Sequence, residues 1–143
     1  MKVIASALVI IVMAVFWTIL TVDTPYEQPD GIGNVMVVVV AEDGSIIIED
    51  RLSFKEGDTL LGVLDQNYTL RYTNTSIGRI LLDFESVKTD FERDFIQIRI
   101  SGQLLRSGAE PLLMDNDLSP VGIDSIPLVD GNRYYFVYQR IGH

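Results

Sequence analysis

The chain has 143 residues, no cysteine, one histidine and a formal net charge of −9. That length suits one domain with its own core, and the missing cysteines exclude disulfides, thiolate metal sites and cysteine nucleophiles. The acidic balance argues against nucleic acid as a partner, and His143, the last residue, leaves little room for a histidine-based triad or metal site.

The first element is Val3–Val22, VIASALVIIVMAVFWTILTV, a run of twenty uncharged residues. As a helix it would be about 30 Å long, the thickness of a bilayer's hydrocarbon core. It exceeds a signal-peptide core, and Leu20-Thr21-Val22-Asp23-Thr24-Pro25 holds no A-x-A cleavage pattern. Residues 1–22 therefore read as a single uncleaved transmembrane anchor, with membrane lipid as its partner through residues 3–22. A cleaved signal and a buried core helix are the alternatives. Phe16 and Trp17 near the distal end suit an interface. Lys2 precedes the run, whereas all 20 acidic residues follow it. The positive-inside rule then places the amino terminus in the cytoplasm and the remainder outside the cell membrane.

Residues 23–34, DTPYEQPDGIGN, hold two prolines and two glycines and read as a juxtamembrane linker. Residues 35–143 form the ectodomain. Val35–Ala41 is apolar at every position, which predicts a central strand covered on both faces. Glu42-Asp43-Gly44-Ser45 is a hairpin turn. In Ile46–Phe54, residues Ile46, Ile48, Leu52 and Phe54 point one way, with Asp50 on that apolar face as a candidate bulge. Asp58 is the expected N-cap of a short helix over Thr59–Gln66, with Leu60, Leu61 and Leu64 on its buried stripe. Alternation then returns in Tyr68–Thr73, Arg79–Glu85 and Phe95–Ser101, with Asn74-Thr75-Ser76 as a turn. Ser107–Val121 reads as a long loop, and Tyr134–Gln139 as a closing strand that is apolar or aromatic on both faces.

A doubly apolar first strand, a doubly apolar last strand and one helix between them predict an α+β, β-grasp (ubiquitin-like) mixed sheet. In it the first and last strands lie side by side, parallel and central. Lys55-Glu56-Gly57-Asp58-Thr59-Leu60-Leu61-Gly62-Val63-Leu64 resembles the helix opening of small exported bacterial β-grasp domains of unknown function. These are related to the carboxyl-terminal domain of transcobalamin. Ile96–Gln103 and Gly122–Asn132, followed by Tyr134–Tyr138, resemble the closing signature of that family. The resemblance spans residues 35–141 and implies the fold and an exported location. Leu104–Pro120 looks like an insertion, the family's tryptophan is replaced near Phe95, and no ligand residues carry over.

No residue is assigned a catalytic, cofactor-binding or metal role. The carboxylate groups Glu49/Asp50, Asp83/Glu85 and Asp90/Glu92/Asp94 could act as acid and base, but solvated strand edges and turns account for them. Met114-Asp115-Asn116-Asp117 resembles the start of a calcium loop without its glycine or distal glutamate. Gly31-Ile32-Gly33 precedes a strand, which does not suit phosphate binding. Tyr68, Tyr72, Tyr134, Tyr135 and Tyr138 suit core packing or a binding face. Asn67 and Asn74 begin glycosylation sequons. The expectation is a membrane-anchored, extracytoplasmic binding or interaction module, not an enzyme. It would be an accessory subunit of a membrane assembly or a ligand-capture domain, with a protein or small ligand as partner. The alternative is a structural, self-assembling cell-envelope protein that uses sheet edges for β-augmentation.

Overall fold

The computed structural model describes residues 26–27, 31–106 and 108–141. The anchor expected over residues 1–22 lies outside them. Among the described residues no helix is long and apolar enough to cross a membrane.

The fold is α+β, mostly strands with one short α-helix. The strands are β1 (Tyr26–Glu27), β2 (Gly33–Val40), β3 (Ile46–Phe54), β4 (Leu70–Thr75), β5 (Gly78–Phe84), β6 (Val87–Lys88), β7 (Asp94–Arg106), β8 (Leu112–Leu118) and β9 (Arg133–Arg140). Helix α1 spans Leu60–Asn67, and a 3-10 turn covers Ile123–Ser125. The main sheet runs β1-β7-β9-β2-β3, with β8 also paired to β7; β4-β5-β6 form a second, smaller sheet. β2 and β9 are adjacent and parallel, with Met36 opposite Arg133 and Val40 opposite Val137. Each has an antiparallel neighbour on its other side, β3 and β7 respectively.

The core lies between one face of the main sheet and a layer made of α1 and the smaller sheet. Val35, Val37 and Val39 of β2, Tyr134 and Phe136 of β9, and Ile96 and Ile100 of β7 meet Leu60, Leu64, Leu81 and Phe84 there. Phe84 is the hinge of the aromatic packing, its ring centroid 5.0 Å from both Tyr68 and Phe136. The stripe Leu60, Leu61, Val63 and Leu64 is buried as its spacing requires.

Several local expectations are corrected. Part of the expected linker belongs to the sheet: β1 pairs with Leu105–Arg106, and β2 starts at Gly33. The cap of α1 is Thr59, whose side chain accepts a hydrogen bond from the Gly62 N–H at 3.1 Å. Asp58 instead closes the preceding turn by accepting from the Lys55 N–H at 3.0 Å. The bulge in the first hairpin lies at Val39/Val40, not at Asp50. Asp50 shares the parity of the core-facing residues but remains exposed, and it accepts from the Tyr68 hydroxyl at 2.7 Å. Asn74 is still in β4, and the β4–β5 hairpin turns at Ser76-Ile77. A register shift at Arg71/Tyr72 breaks the expected alternation of β5, so that Leu81 joins Phe84 in the core. The expected loop over Ser107–Val121 contains β8, with Leu112 and Met114 packed against the core.

Candidate functional site

The two faces of the main sheet differ. Strand alternation places Met36, Val38 and Val40 of β2 on the face away from the core. Register adds Glu49 and Arg51 from β3, Arg133, Tyr135 and Val137 from β9, and Phe95, Gln97, Arg99 and Ser101 from β7. No described element packs over this face. The helix, the smaller sheet and the buried residues Ile123, Ile126 and Leu128 all gather on the other side. Val38 is nonetheless only 2% exposed. Its cross-strand neighbours on that face are Glu49 and Tyr135.

The face has an apolar middle and a charged margin. Four charged residues stand on it: Glu49, Arg51, Arg99 and Arg133. Three of these are cationic, in a chain that is acidic overall. Arg133 reaches Glu49 at 3.7 Å. Arg99 donates to the Gln97 side chain at 2.9 Å and to the Asn116 carbonyl at 2.8 Å, which fixes its guanidinium against the sheet. A cavity of about 190 Å³ opens between Arg51 and Arg133. A larger, polar cleft of about 650 Å³ lies at the sheet end, lined by Ser53, Lys55, Asp58, Gln66 and Asp130 among others.

The carboxylates singled out in the sequence do not converge. Asp83 lies in the smaller sheet, where Arg71 donates to it at 2.8 Å and the Thr89 N–H at 3.1 Å. Burial pushes its carboxyl up, but Arg71, Thr89 and Lys88 outweigh that and hold it below the usual range. Glu85 accepts from the Thr69 N–H at 2.7 Å. Asp90 is held at about 2 chiefly by the Arg93 N–H, against slight burial, with the Arg93 side chain and the Glu92 N–H adding to it. Asp94 accepts from Tyr138 at 2.5 Å, which raises the Tyr138 hydroxyl. Burial raises the Tyr68 hydroxyl, with Asp50 adding to it. In the calcium-like segment the Asp115 N–H donates to Asp117 at 2.9 Å and the Asn116 N–H to Ser101 at 2.8 Å. Among the described residues no three histidine or acidic side chains group to hold a metal ion.

Of the tyrosines, Tyr134 is buried, Tyr68, Tyr72 and Tyr138 pack against the core, and Tyr135 stands on the open face. The Asn67 amide donates to the Val63 carbonyl at 2.8 Å. Gly33 lets the Asp130 side chain approach so closely that a Cβ there would collide with it. His143 lies outside the described residues.

A buried network that sequence reasoning missed joins the two segments of the closing signature. Asn132, 2% exposed, accepts from the Gln103 N–H at 2.9 Å and donates to its carbonyl at 2.8 Å. Its amide also donates to the Tyr134 hydroxyl at 3.2 Å, and that hydroxyl donates to the Pro127 carbonyl at 2.7 Å. Gly102 makes room: its φ is +133°, and a Cβ there would overlap Asn132 Oδ1. The signal available in the sequence was the pair Gly102-Gln103 and Gly131-Asn132.

No protein-family model matches the chain, and no curated protein matches it. Solved structures share its fold. One is a proposed metal-binding protein from Ruminococcus gnavus ATCC 29149, with TM-score 0.55 and 15% identity over 78% of this chain and 99% of that one. Another is haptocorrin in complex with Cbi, with TM-score 0.53 and 13% identity. That match covers 80% of this chain and 26% of haptocorrin. At these identities the likeness concerns the fold.

Proposed function

We propose that the chain is a membrane-anchored, extracytoplasmic β-grasp module. It would bind a protein partner through the open face of its main sheet, as an accessory subunit of a membrane assembly. The observation that carries this reading is that face. Its apolar middle of Met36, Val40, Tyr135 and Val137 and its polar margin match the anatomy of an interface. Its excess of arginine over carboxylate favours a partner with an acidic rim. The parallel central pair of β2 and β9 supports the β-grasp assignment, and the long uncharged run at residues 3–22 supports the anchor. The carboxylates singled out in the sequence do not converge on one point, and no three acidic side chains group among the described residues, so neither metal binding nor hydrolysis is proposed.

The test uses the full chain, tagged at its carboxyl end and purified from native membranes in mild detergent. A stoichiometric partner should co-purify, be lost with Tyr135→Glu and Arg99→Glu, and be retained with Arg79→Glu, which lies on the smaller sheet. Retention in all three variants overturns the reading. Protease treatment of intact cells should remove the domain; a domain protected until the membrane is opened refutes the orientation.

Self-assembly at a sheet edge is the second reading. It is favoured by β3, which among the described residues pairs only with β2 and exposes Ile46 (56%) and Ile47 (40%). Mass measured against concentration in detergent separates the two, because assembly without any other component supports only this one.

A further inference from the structure

We infer that Arg51 and Arg133 form an oxyanion-binding subsite over Met36, taking a carboxylate or phosphate group. The inference rests on the open face proposed above as the docking surface and names the chemistry at one end of it. Arg51, Met36 and Arg133 stand in a single row across β3, β2 and β9. Strand spacing sets the two arginine backbones about 10 Å apart, a gap that two long guanidinium side chains can close from either side. The cavity between them, about 190 Å³, is lined by Asn34, Met36, Arg51, Gly131, Asn132 and Arg133. It is sized for one small group.

The state of the cations is what sets this place apart. Arg71, Arg79, Arg93 and Arg140 are each paired with a carboxylate. Arg99 and Arg106 donate to backbone carbonyls. Alone among the described arginines, Arg51 has a side chain with no hydrogen bond or ion pair, although the chain carries 20 acidic residues. Arg133 meets its one carboxylate, Glu49, at 3.7 Å, too long for a charge-assisted hydrogen bond. Asp130, close by at the sheet end, is occupied in accepting from the Asn34 N–H at 2.8 Å. Two planar donor forks with spare capacity, above a polarizable thioether, suit an oxyanion with a short carbon chain. Glu49 is the internal competitor.

The experiment is calorimetric titration of the full chain in mild detergent with inorganic phosphate, succinate and an oligoglutamate peptide. The first two probes represent free small anions, and the third represents carboxylates carried on a protein. Saturable binding of at least one probe is expected. Arg51→Gln and Arg133→Gln should each weaken it about 10-fold or more, the value of a charged hydrogen bond. Arg51→Lys should weaken it less, and Arg79→Gln should leave it unchanged. Glu49→Gln should tighten it about 2- to 5-fold by freeing Arg133, an effect that a merely structural role would not produce. Near-ultraviolet circular dichroism verifies that the variants are folded. Absence of saturable binding to all three probes, or binding indifferent to both glutamine variants, overturns the subsite. A chain that binds no probe yet captures its partner through Tyr135 overturns the subsite alone. One that binds phosphate but captures no partner overturns the docking reading alone.

Discussion

Asn132 does with a side chain what the strand beside it does with its backbone. The β7–β9 ladder ends at the Ser101–Arg133 pair, and the Asn132 amide extends it by bonding both polar groups of Gln103. Asn132→Ala should leave those groups, half-buried at the strand end, without their partner and cost about 1–3 kcal/mol. Gly102→Ala should cost about as much, from the collision and from a backbone angle that favours glycine. Because removing the Asn132 side chain also removes the collision, the double variant should fall short of the sum by about 1 kcal/mol. Urea unfolding measures all three, and strict additivity would disprove the contact. Tyr134 links the same network to pH. Burial, opposed by hydrogen bonds from Asn132 and Val129, leaves its hydroxyl pushed up to about 12. The folded chain therefore keeps a proton that an unfolded tyrosine gives up near 10, and stability falls between about pH 10 and pH 12 by roughly 2–3 kcal/mol. Alkaline unfolding of Tyr134→Phe should show a shallower slope, leaving the share of Tyr68 and Tyr138, which are raised in the same sense.

Strand β2 separates two kinds of burial that its sequence, valine after valine, presents as one. Val37 is 0% exposed within the core cluster, whereas Val38 is 2% exposed on the face no described element covers. Val37→Asp should bury an unpaired carboxylate and cost about 4 kcal/mol or more. Val38→Asp can reach water past Tyr135 and should cost about 1–2 kcal/mol, part of it from Glu49 alongside. Thermal unfolding of the pair decides this, and equal losses would mean that something covers both faces. The same contrast explains what was legible. The centrality and pairing of β2 and β9 followed from their unbroken apolar runs, and α1 from its leucine spacing. β8 was hidden because Asp115, Asn116 and Asp117 carry turn chemistry, and Asn116 does adopt a positive φ of 56° inside the strand. The parity of β5 was hidden because the shift at Arg71/Tyr72 is decided by pairing with another strand, not by local preference. Of the candidate site, the tyrosines could be named in advance. The row of Arg51, Met36 and Arg133 could not, since it exists only once three distant segments are in register.

For the molecule as a unit, the amino-terminal boundary of the fold falls before Val35. β1 pairs with the end of β7, Asn34 donates to Asp130, and the Gly131 N–H donates to the Asn34 carbonyl at 2.8 Å. A fragment of residues 26–143 should therefore unfold at higher urea than one of residues 35–143, by about 1–3 kcal/mol for the lost hydrogen bonds. Equal midpoints would make those contacts incidental. The parallel pair of β2 and β9 has a further consequence, which concerns force. β2 is entered at one end of the pair and β9 is left at the opposite end, so tension between the two ends of the domain slides one strand along the other. Every bond from Met36–Arg133 to Val40–Val137 is then strained together, whereas a hairpin peeled from one end would yield its bonds one at a time. A domain built this way can hold its shape while tethered at one end and pulled from the other.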